Sequence, residues 1–380
     1  MSRLDILYLV GGFSVGGTER HLSLILPALA DDGYNIRVCA LGSDGPMSES
    51  LASANINVQF LVPNHACDFP KIRGFLNFIS IVSQVIRVVR ENRPKIVHCF
   101  LSEPSIIGYL ATVIGDNQHT LVLSKRNQLV RPSVFFGDKF LERIALRSAD
   151  RVVAHSSMVR KELISIGVNR DQITVIHNGI PPPAPSSNYY EDLRAEFRRS
   201  EKTIVFVCLA NLIPYKGHRE LLSAMVRFNQ YWKDWTLLCI GETRNYSYTQ
   251  SLKKIVEEAD LEDKVNWLGM KKEPSIFLQA ADVGILVSHH EGFSNAILEY
   301  MSYSLPTIAT NVGGNPDAVN HGETGWLIPF GDQNLLLEAL KESTDNMILK
   351  RYSGAAYASY LKRFTHDSCV KKYHELYQSL

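Results

Sequence analysis

Two carboxylates, Glu291 and Glu299, stand eight positions apart in HHEGFSNAILEYMS, one ahead of an apolar run and one inside it. Gly292, Phe293, Ser294 and Asn295 link the first acid to a helix, with Ser294 or Asn295 as its N-cap. Glu291 is therefore expected in a loop and Glu299 about one turn into the helix. Backbone amides that open a helix attract an anion. A carboxylate beside an anion makes electrostatic sense where it accepts from hydroxyls, so a sugar or ribose fits these acids better than phosphate does. The plain alternative is a solvent-facing Glu299 and a capping Glu291.

Two further stretches carry chemistry. LANLIPYKGHRELL places Lys216 and Gly217 where another helix should start, so an ammonium and free amides can face one phosphate. A solvated lysine is the other reading. LVGGFSVGGTERH puts Gly17 in a glycine-bearing loop between a strand and a helix, where a ligand can approach the backbone or where the turn is simply tight. It is no dinucleotide fingerprint, because Phe13 takes the place of the second glycine, and no Walker loop, because Thr18 follows Gly17 without a lysine. No Asp stands two positions from another Asp, and His289 and His290 lack the second histidine of HExxH. No metal is expected; a phosphate leaving group would be stabilised by Lys216 and helix amides.

Such loops need strands to carry them. Short runs rich in β-branched residues alternate with amphipathic stretches, the pattern of βα units and parallel sheets. LDILYLV, NIRVCAL, INVQFLV, KIVHCF, TLVLSKR, RVVAH and ITVIH form a first series of strand candidates. TERHLSLILPALADDG, GFLNFISIVSQVIRVVREN and KFLERIALRSA are the helices between them. The alternation breaks at NGIPPPAPSS, where Pro181, Pro182, Pro183 and Pro185 can continue neither a helix nor a central strand. TIVFVCLAN, WTLLCIGE, KVNWLG, DVGILVS, LPTIAT and GWLIP then form a second series. The expectation is an α/β chain of two doubly wound, Rossmann-like domains, 1–180 and 181–380, the terminal helices from about Asp332 packing on either one. In such sheets ligands sit outside the carboxyl ends of the strands.

The totals agree with this. A chain of 380 residues suits two cores, and a formal net charge of +1 gives no field favouring nucleic acid. The six cysteines include no CxxC pair, so buried free thiols in a reducing compartment are expected. MSRLDILYLVGGF lacks the length and cleavage site of a signal peptide, and no run reaches 18 uncharged apolar residues. The expected location is cytoplasmic.

Taken in order, the motifs resemble the GT-B glycosyltransferases of family 4, retaining enzymes that use nucleotide sugars. EGFSNAILE is similar to the family's E-x7-E element, SLPTIATNVGGNPDAV to the strand and Gly-rich turn after it, and HGETGWLIP to the next strand. VIHNGI resembles the interdomain entry, ADRVVAHSS the last strand of the first domain, and GGTERH the first glycine loop. The resemblance implies an acceptor-binding first domain and a donor-binding second domain facing across a deep cleft. It implies that Glu291 contacts the donor sugar and that Glu299 holds the ribose hydroxyls. Lys216, with the amides of Gly292, Phe293 and Ser294, would hold the diphosphate, with Asn295 beside them and Gly17 approaching from the other domain. The donor would be UDP- or GDP-linked, with no cofactor. The departing diphosphate itself would take the acceptor's proton, so Glu291 and Lys216 are the catalytic residues and no base is assigned.

Three positions depart from the family pattern. Asn211 stands where many members have an arginine, which removes a charge. KIVHCF ends in Phe100 where a second histidine is frequent, leaving His98 as an acceptor-side candidate or a strand-end histidine. Arg126 in SKRNQ replaces a frequent histidine, and either binds an anionic acceptor such as a lipid diphosphate or lies on the surface. RPSVFFGDKFLERIALRSADR combines Phe135, Phe136 and Phe140 with Arg131, Lys139, Arg143 and Arg147, a candidate contact of residues 131–148 with an anionic membrane. The expectation is therefore a retaining, metal-independent glycosyltransferase acting on a glycan or polyprenyl-diphosphate-linked acceptor, in bacterial surface polysaccharide or glycolipid assembly, peripheral at the inner face of the plasma membrane. The rivals are a nucleotide-sugar 2-epimerase or glycan phosphorylase of the same fold, and a catalytically silent nucleotide-sugar-binding subunit.

Overall fold

The computed structural model describes residues 4–13, 17–42, 44–45, 48–61, 70–115, 119–126, 138–183, 194–198 and 200–380. Two compact units emerge: Met1–Asn178 with His366–Leu380, and Gly179–Thr365. Each is built on one parallel sheet.

The first unit holds β1 (Ile6–Val10), β2 (Ile36–Ala40), β3 (Asn57–Phe60), β4 (Ile96–Phe100), β5 (Thr120–Lys125), β6 (Arg151–Ala154) and β7 (Ile173–Val175). They lie in the order β3-β2-β1-β4-β5-β6-β7. β1 and β4 are buried at every position, as expected for central strands covered on both faces. Three helices join those that periodicity picks out, Ser102–Ile114, Ser157–Ser165 and the short Ser48–Ser53. The first is buried through Ser102, Pro104, Ser105, Ile106, Ile107, Gly108 and Ala111. A helix apolar or small on most sides has no polar stripe to reveal its period.

The second unit holds β8 (Ile204–Leu209), β9 (Trp235–Ile240), β10 (Val265–Gly269), β11 (Val283–Leu286), β12 (Thr307–Thr310) and β13 (Gly325–Ile328), ordered β10-β9-β8-β11-β12-β13. The order reverses between β8 and β11, which pair through Val283 with Phe206 and Gly284 with Val207. That reversal opens a crevice at the carboxyl ends of these two strands, and it is there that an open α/β sheet receives ligands. All thirteen strand candidates of the sequence are present among the described residues.

The terminal segment is helical and divides. Gln333–Glu342 and Asn346–Arg363 stay with the second unit, and His366–Gln378 belongs to the first. Buried tyrosine hydroxyls need partners, and they dictate how the last helix sits. The Tyr377 hydroxyl lies 2.6 Å from that of Tyr8 on β1 and 2.7 Å from Nδ1 of His98 on β4. Nε2 of His98 lies 2.8 Å from the Ser124 hydroxyl on β5. One chain of bonds thus crosses three strands.

Burial pushes the pKa of His98 down from 6.5 to about 3, so it stays neutral in the folded chain. Unfolding restores the ordinary value, and the unfolded chain then binds one more proton between the two. The contribution is whole above pH 6.5 and is lost as the pH falls toward 3, at up to about 1.4 kcal/mol per pH unit. Burial lowers His21 in the same unit and adds in the same direction. Urea melts of the first unit between pH 7 and pH 4 should show stability falling with acidity, less steeply in His98→Gln; an unchanged slope would contradict the buried neutral imidazole.

The five described cysteines, Cys39, Cys99, Cys208, Cys239 and Cys369, are buried free thiols, and burial pushes Cys39 and Cys208 up to about 12. Cys67, Pro185, Arg131, Phe135 and Phe136 lie outside the described residues. Of the basic aromatic stretch, helix Asp138–Ser148 is described, and a buried ion pair from Lys125 to Glu142 at 2.6 Å ties it to β5. Lys139, Phe140, Arg143 and Arg147 are exposed, and Arg147 also donates from Nε to the Ile166 carbonyl. No helix among the described residues is long and apolar enough to cross a membrane.

Candidate active site

At the reversal of the second sheet, the loops after β8 and β11 meet. β8 runs into Asn211, a short 3-10 turn Pro214–Lys216, and Gly217, before helix His218–Tyr231. Gly217 has φ of 73°, a left-handed conformation, and a Cβ there would collide with the carbonyl of Val287 just past β11. The close approach brings Lys216 beside the second loop. The His289 amide donates to the Tyr215 carbonyl at 2.8 Å and closes the contact.

Glu291 is held from its other side. Gly313, in the turn after β12, has φ of 56°, and a Cβ there would run into the Glu291 carbonyl. Both glycines answer the sequence motifs KGH and VGG, and each is needed for space as well as for its backbone conformation. Between these two clamps, Lys216 Nζ donates to Glu291 Oε1 at 2.6 Å, the side chains being 19% and 10% exposed. The ion pair explains a carboxylate at an anion site in a way the residue pattern alone did not: without ligand, each charge neutralises the other.

Aromatic groups line the same loops. Lys216 Nζ lies 5.3 Å from the Tyr215 ring centroid, and His290 stacks on that ring at 4.5 Å. His289 contacts Glu220 Oε1 at 3.2 Å and packs against Phe330. Tyr215 and Glu220 had no signal in the sequence, and the two histidines stood out there only as an incomplete metal motif, because these contacts join segments far apart in the chain.

Helix Asn295–Ser302 begins as expected, with Ser294 in the N-cap position, but Ser294 makes no side-chain capping bond. The amides of Gly292 and Ser294 have no partner among the described residues, so the helix start offers donors to an anion. Glu299 sits a turn inside and is buried at 6% exposure, as are Phe293 and Ser294 at 8% and 7%; Glu299 is not the solvent-facing acid of the plain alternative. Tyr300, next to Glu299, accepts from the Leu209 amide at 2.6 Å and donates to the Ile285 carbonyl, which ties this helix to both β8 and β11. Asn211 accepts the Glu242 amide at 3.0 Å through Oδ1, so its carbonyl is spent on joining two strand ends and its NH2 group is what it can offer a ligand.

The candidates of the first unit fall into different places. Gly17 opens helix Gly17–Asp31 and is exposed. His98, an acceptor-side candidate or a strand-end histidine from the sequence, is fully buried with both nitrogens engaged, and it holds the last helix in place. Phe100 beside it is likewise fully buried. Arg126 is not a surface arginine: it is 9% exposed and donates from Nη2 to Asn178 Oδ1 at 2.6 Å. Among the described residues, no group of three His, Cys, Asp or Glu side chains is arranged to hold a metal.

The model of "Glycosyl transferases group 1" matches residues 190–359, and that of "Glycosyltransferase Family 4" matches residues 15–182. The chain is 24% identical over 373 residues to N-acetyl-alpha-D-glucosaminyl L-malate synthase of Bacillus anthracis, covering 97% of this chain and 94% of the relative. It is 25% identical over 378 residues to UDP-Gal:alpha-D-GlcNAc-diphosphoundecaprenol alpha-1,3-galactosyltransferase of Escherichia coli, covering 96% and 94%. The crystal structure of Anabaena Alr3699/HepE in complex with UDP superposes with a TM-score of 0.85 at 22% identity, covering 99% of this chain and all of that one. Two parallel-sheet units, two adjoining family matches and these relatives agree. The chain belongs to the group 1, family 4 glycosyltransferases, and is a hexosyltransferase of GT-B fold that uses a nucleotide-sugar donor.

Proposed function

We propose that the protein transfers a hexose from a UDP-linked donor, with retention and without a metal, to a glycan or polyprenyl-diphosphate-linked acceptor in bacterial surface polysaccharide or glycolipid assembly. The observation that carries the reading is the Lys216 to Glu291 contact of 2.6 Å, set beside the uncapped start of the helix that bears Glu299. A diphosphate arriving there competes for the ammonium and takes the free amides of Gly292 and Ser294. Glu291, released from the lysine, then accepts from hydroxyls of the donor sugar, and Glu299 from those of the ribose. As the glycosidic bond breaks, Lys216 and the amides stabilise the charge growing on the diphosphate, and that diphosphate takes the acceptor's proton on the same face. UDP rather than GDP is favoured by the names of the Escherichia coli relative and the Anabaena structure, and a lipid-linked acceptor by the former. Exposed Lys139, Phe140 and Arg143 suit a peripheral contact with an anionic membrane.

Melting curves with UDP, GDP and their sugars, in EDTA, test the donor site. UDP should raise the melting temperature, because a ligand that binds only the folded chain stabilises it. Glu299→Ala should weaken UDP about tenfold or more, the usual value of hydrogen bonds to a charged group. Equal stabilisation of both proteins would remove the ribose role, and no response to any nucleotide would remove the site.

A further inference from the structure

Arg126 sits just past the carboxyl end of β5, and its guanidinium is buried with no carboxylate paired to it among the described residues. Its polar contacts are the Asn178 side-chain oxygen and the Tyr373 hydroxyl. Glu19 acts on it through space, with no ion pair between them among the described residues. The eleven residues that follow Arg126, NQLVRPSVFFG, contain neither Asp nor Glu. Buried charges in proteins are paired, because removing an ion from water costs several kcal/mol that only a counter-charge offsets. This cation has no counter-charge among the described residues.

The surroundings point the same way. His21, in the second turn of helix Gly17–Asp31, is 2% exposed; its Nε2 lies 3.2 Å from the Tyr373 hydroxyl, and its Nδ1 is buried with no partner. His155, at the end of the neighbouring β6, is also buried, with Nδ1 2.8 Å from the Lys125 carbonyl. Tyr373 therefore joins the cation to an imidazole whose other nitrogen is unused. Neither Asn178 nor Tyr373 brings a negative charge, so they orient the guanidinium without neutralising it. A planar fork held in this way suits two oxygens of one anionic group.

We propose that Arg126 is a substrate-binding residue of the first unit that receives an oxyanion, with His21 as a second donor from Nδ1. The oxyanion has two sources in the chemistry of glycan assembly, the phosphate of a lipid-linked acceptor or the carboxylate of an acidic sugar. The proposal rests on the glycosyltransferase reading for the nature of the substrate, and on the unpaired guanidinium for the charge.

The test uses the full chain with UDP saturating, so that the Lys216 site is filled, and the Lys216→Ala background as a control. Inorganic phosphate and methyl glucuronide are titrated separately, with melting temperature as the readout. One of them should stabilise the wild type, and that effect should weaken at least about tenfold in apparent affinity in Arg126→Gln. Arg126→Lys, which keeps the charge and loses the fork, should retain part of it. Stabilisation by phosphate identifies the acceptor's phosphate; stabilisation by the glucuronide identifies an acidic sugar. The idea is overturned if neither anion shifts the wild type, or if Arg126→Gln responds as the wild type does. An unaltered UDP response in Arg126→Gln shows that the variant is folded. A wild type blind to UDP would instead count against the donor reading, and the anion titrations would still decide the role of Arg126.

Discussion

Gly313→Ala is expected to reduce kcat/KM by about 10²-fold or more, although Gly313 supplies no chemical group. With φ of 56° and no space for a Cβ beside the Glu291 carbonyl, the new methyl must move either the turn after β12 or the loop that carries Glu291. The positive φ alone costs about 1–3 kcal/mol in a residue other than glycine. The collision adds displacement of Glu291, and about 1 Å of misplacement in a reacting constellation can cost 10²-fold. Gly331→Ala is the control: φ there is 83°, and nothing lies within 4 Å of the added Cβ. It should lose stability to a similar backbone strain while keeping its turnover. Steady-state kinetics with urea melts on both variants would separate strain from collision. Equal turnover in the two would mean that the clamp on Glu291 has no catalytic value.

Lys216→Ala should lower kcat by about 10² to 10³-fold, the usual loss when one donor to a developing anion is removed. It should also destabilise the second unit by about 1–3 kcal/mol, because Glu291, only 10% exposed, loses the ammonium that faces it. Glu291→Gln should cost activity too, by removing the acceptor for sugar hydroxyls. The double variant gives the sharper expectation. Combining Lys216→Ala with Glu291→Gln should recover part of the stability, since the carboxylate that lost its ammonium is then replaced by a neutral amide, and none of the activity. A thermodynamic cycle in urea alongside initial rates reads both. Transfer within several-fold of wild type in Lys216→Ala would sink the role given to the ammonium.

Much of this protein was legible in its residues. Each strand announced itself as a short run of β-branched and aliphatic residues, and the break at Pro181–Pro183 lies three to five residues past the point where one unit ends. Glu291 fell in a loop and Glu299 a turn into a helix, because N-cap and period are local properties read within a few residues. The ordered motifs identified the family for the same reason. Helix Ser102–Ile114 escaped because it is buried on nearly all sides and has no polar face to show its period.

What tertiary structure alone decided is who meets whom. Lys216 and Glu291 are 75 residues apart, and they touch because β8 and β11 are neighbours in a sheet whose order reverses between them. His98 looked like a candidate ligand and is instead fully buried against Tyr377, 279 residues on, because the last helix returns to the first unit. Arg126 looked equally able to bind a ligand or face solvent, and only the packing showed a buried cation with no counter-charge among the described residues. Period and capping depend on a few consecutive residues, so a sequence displays them. Ion pairing, burial and the space left beside a glycine depend on which distant strands and helices pack together, and that is settled only when the whole chain has folded.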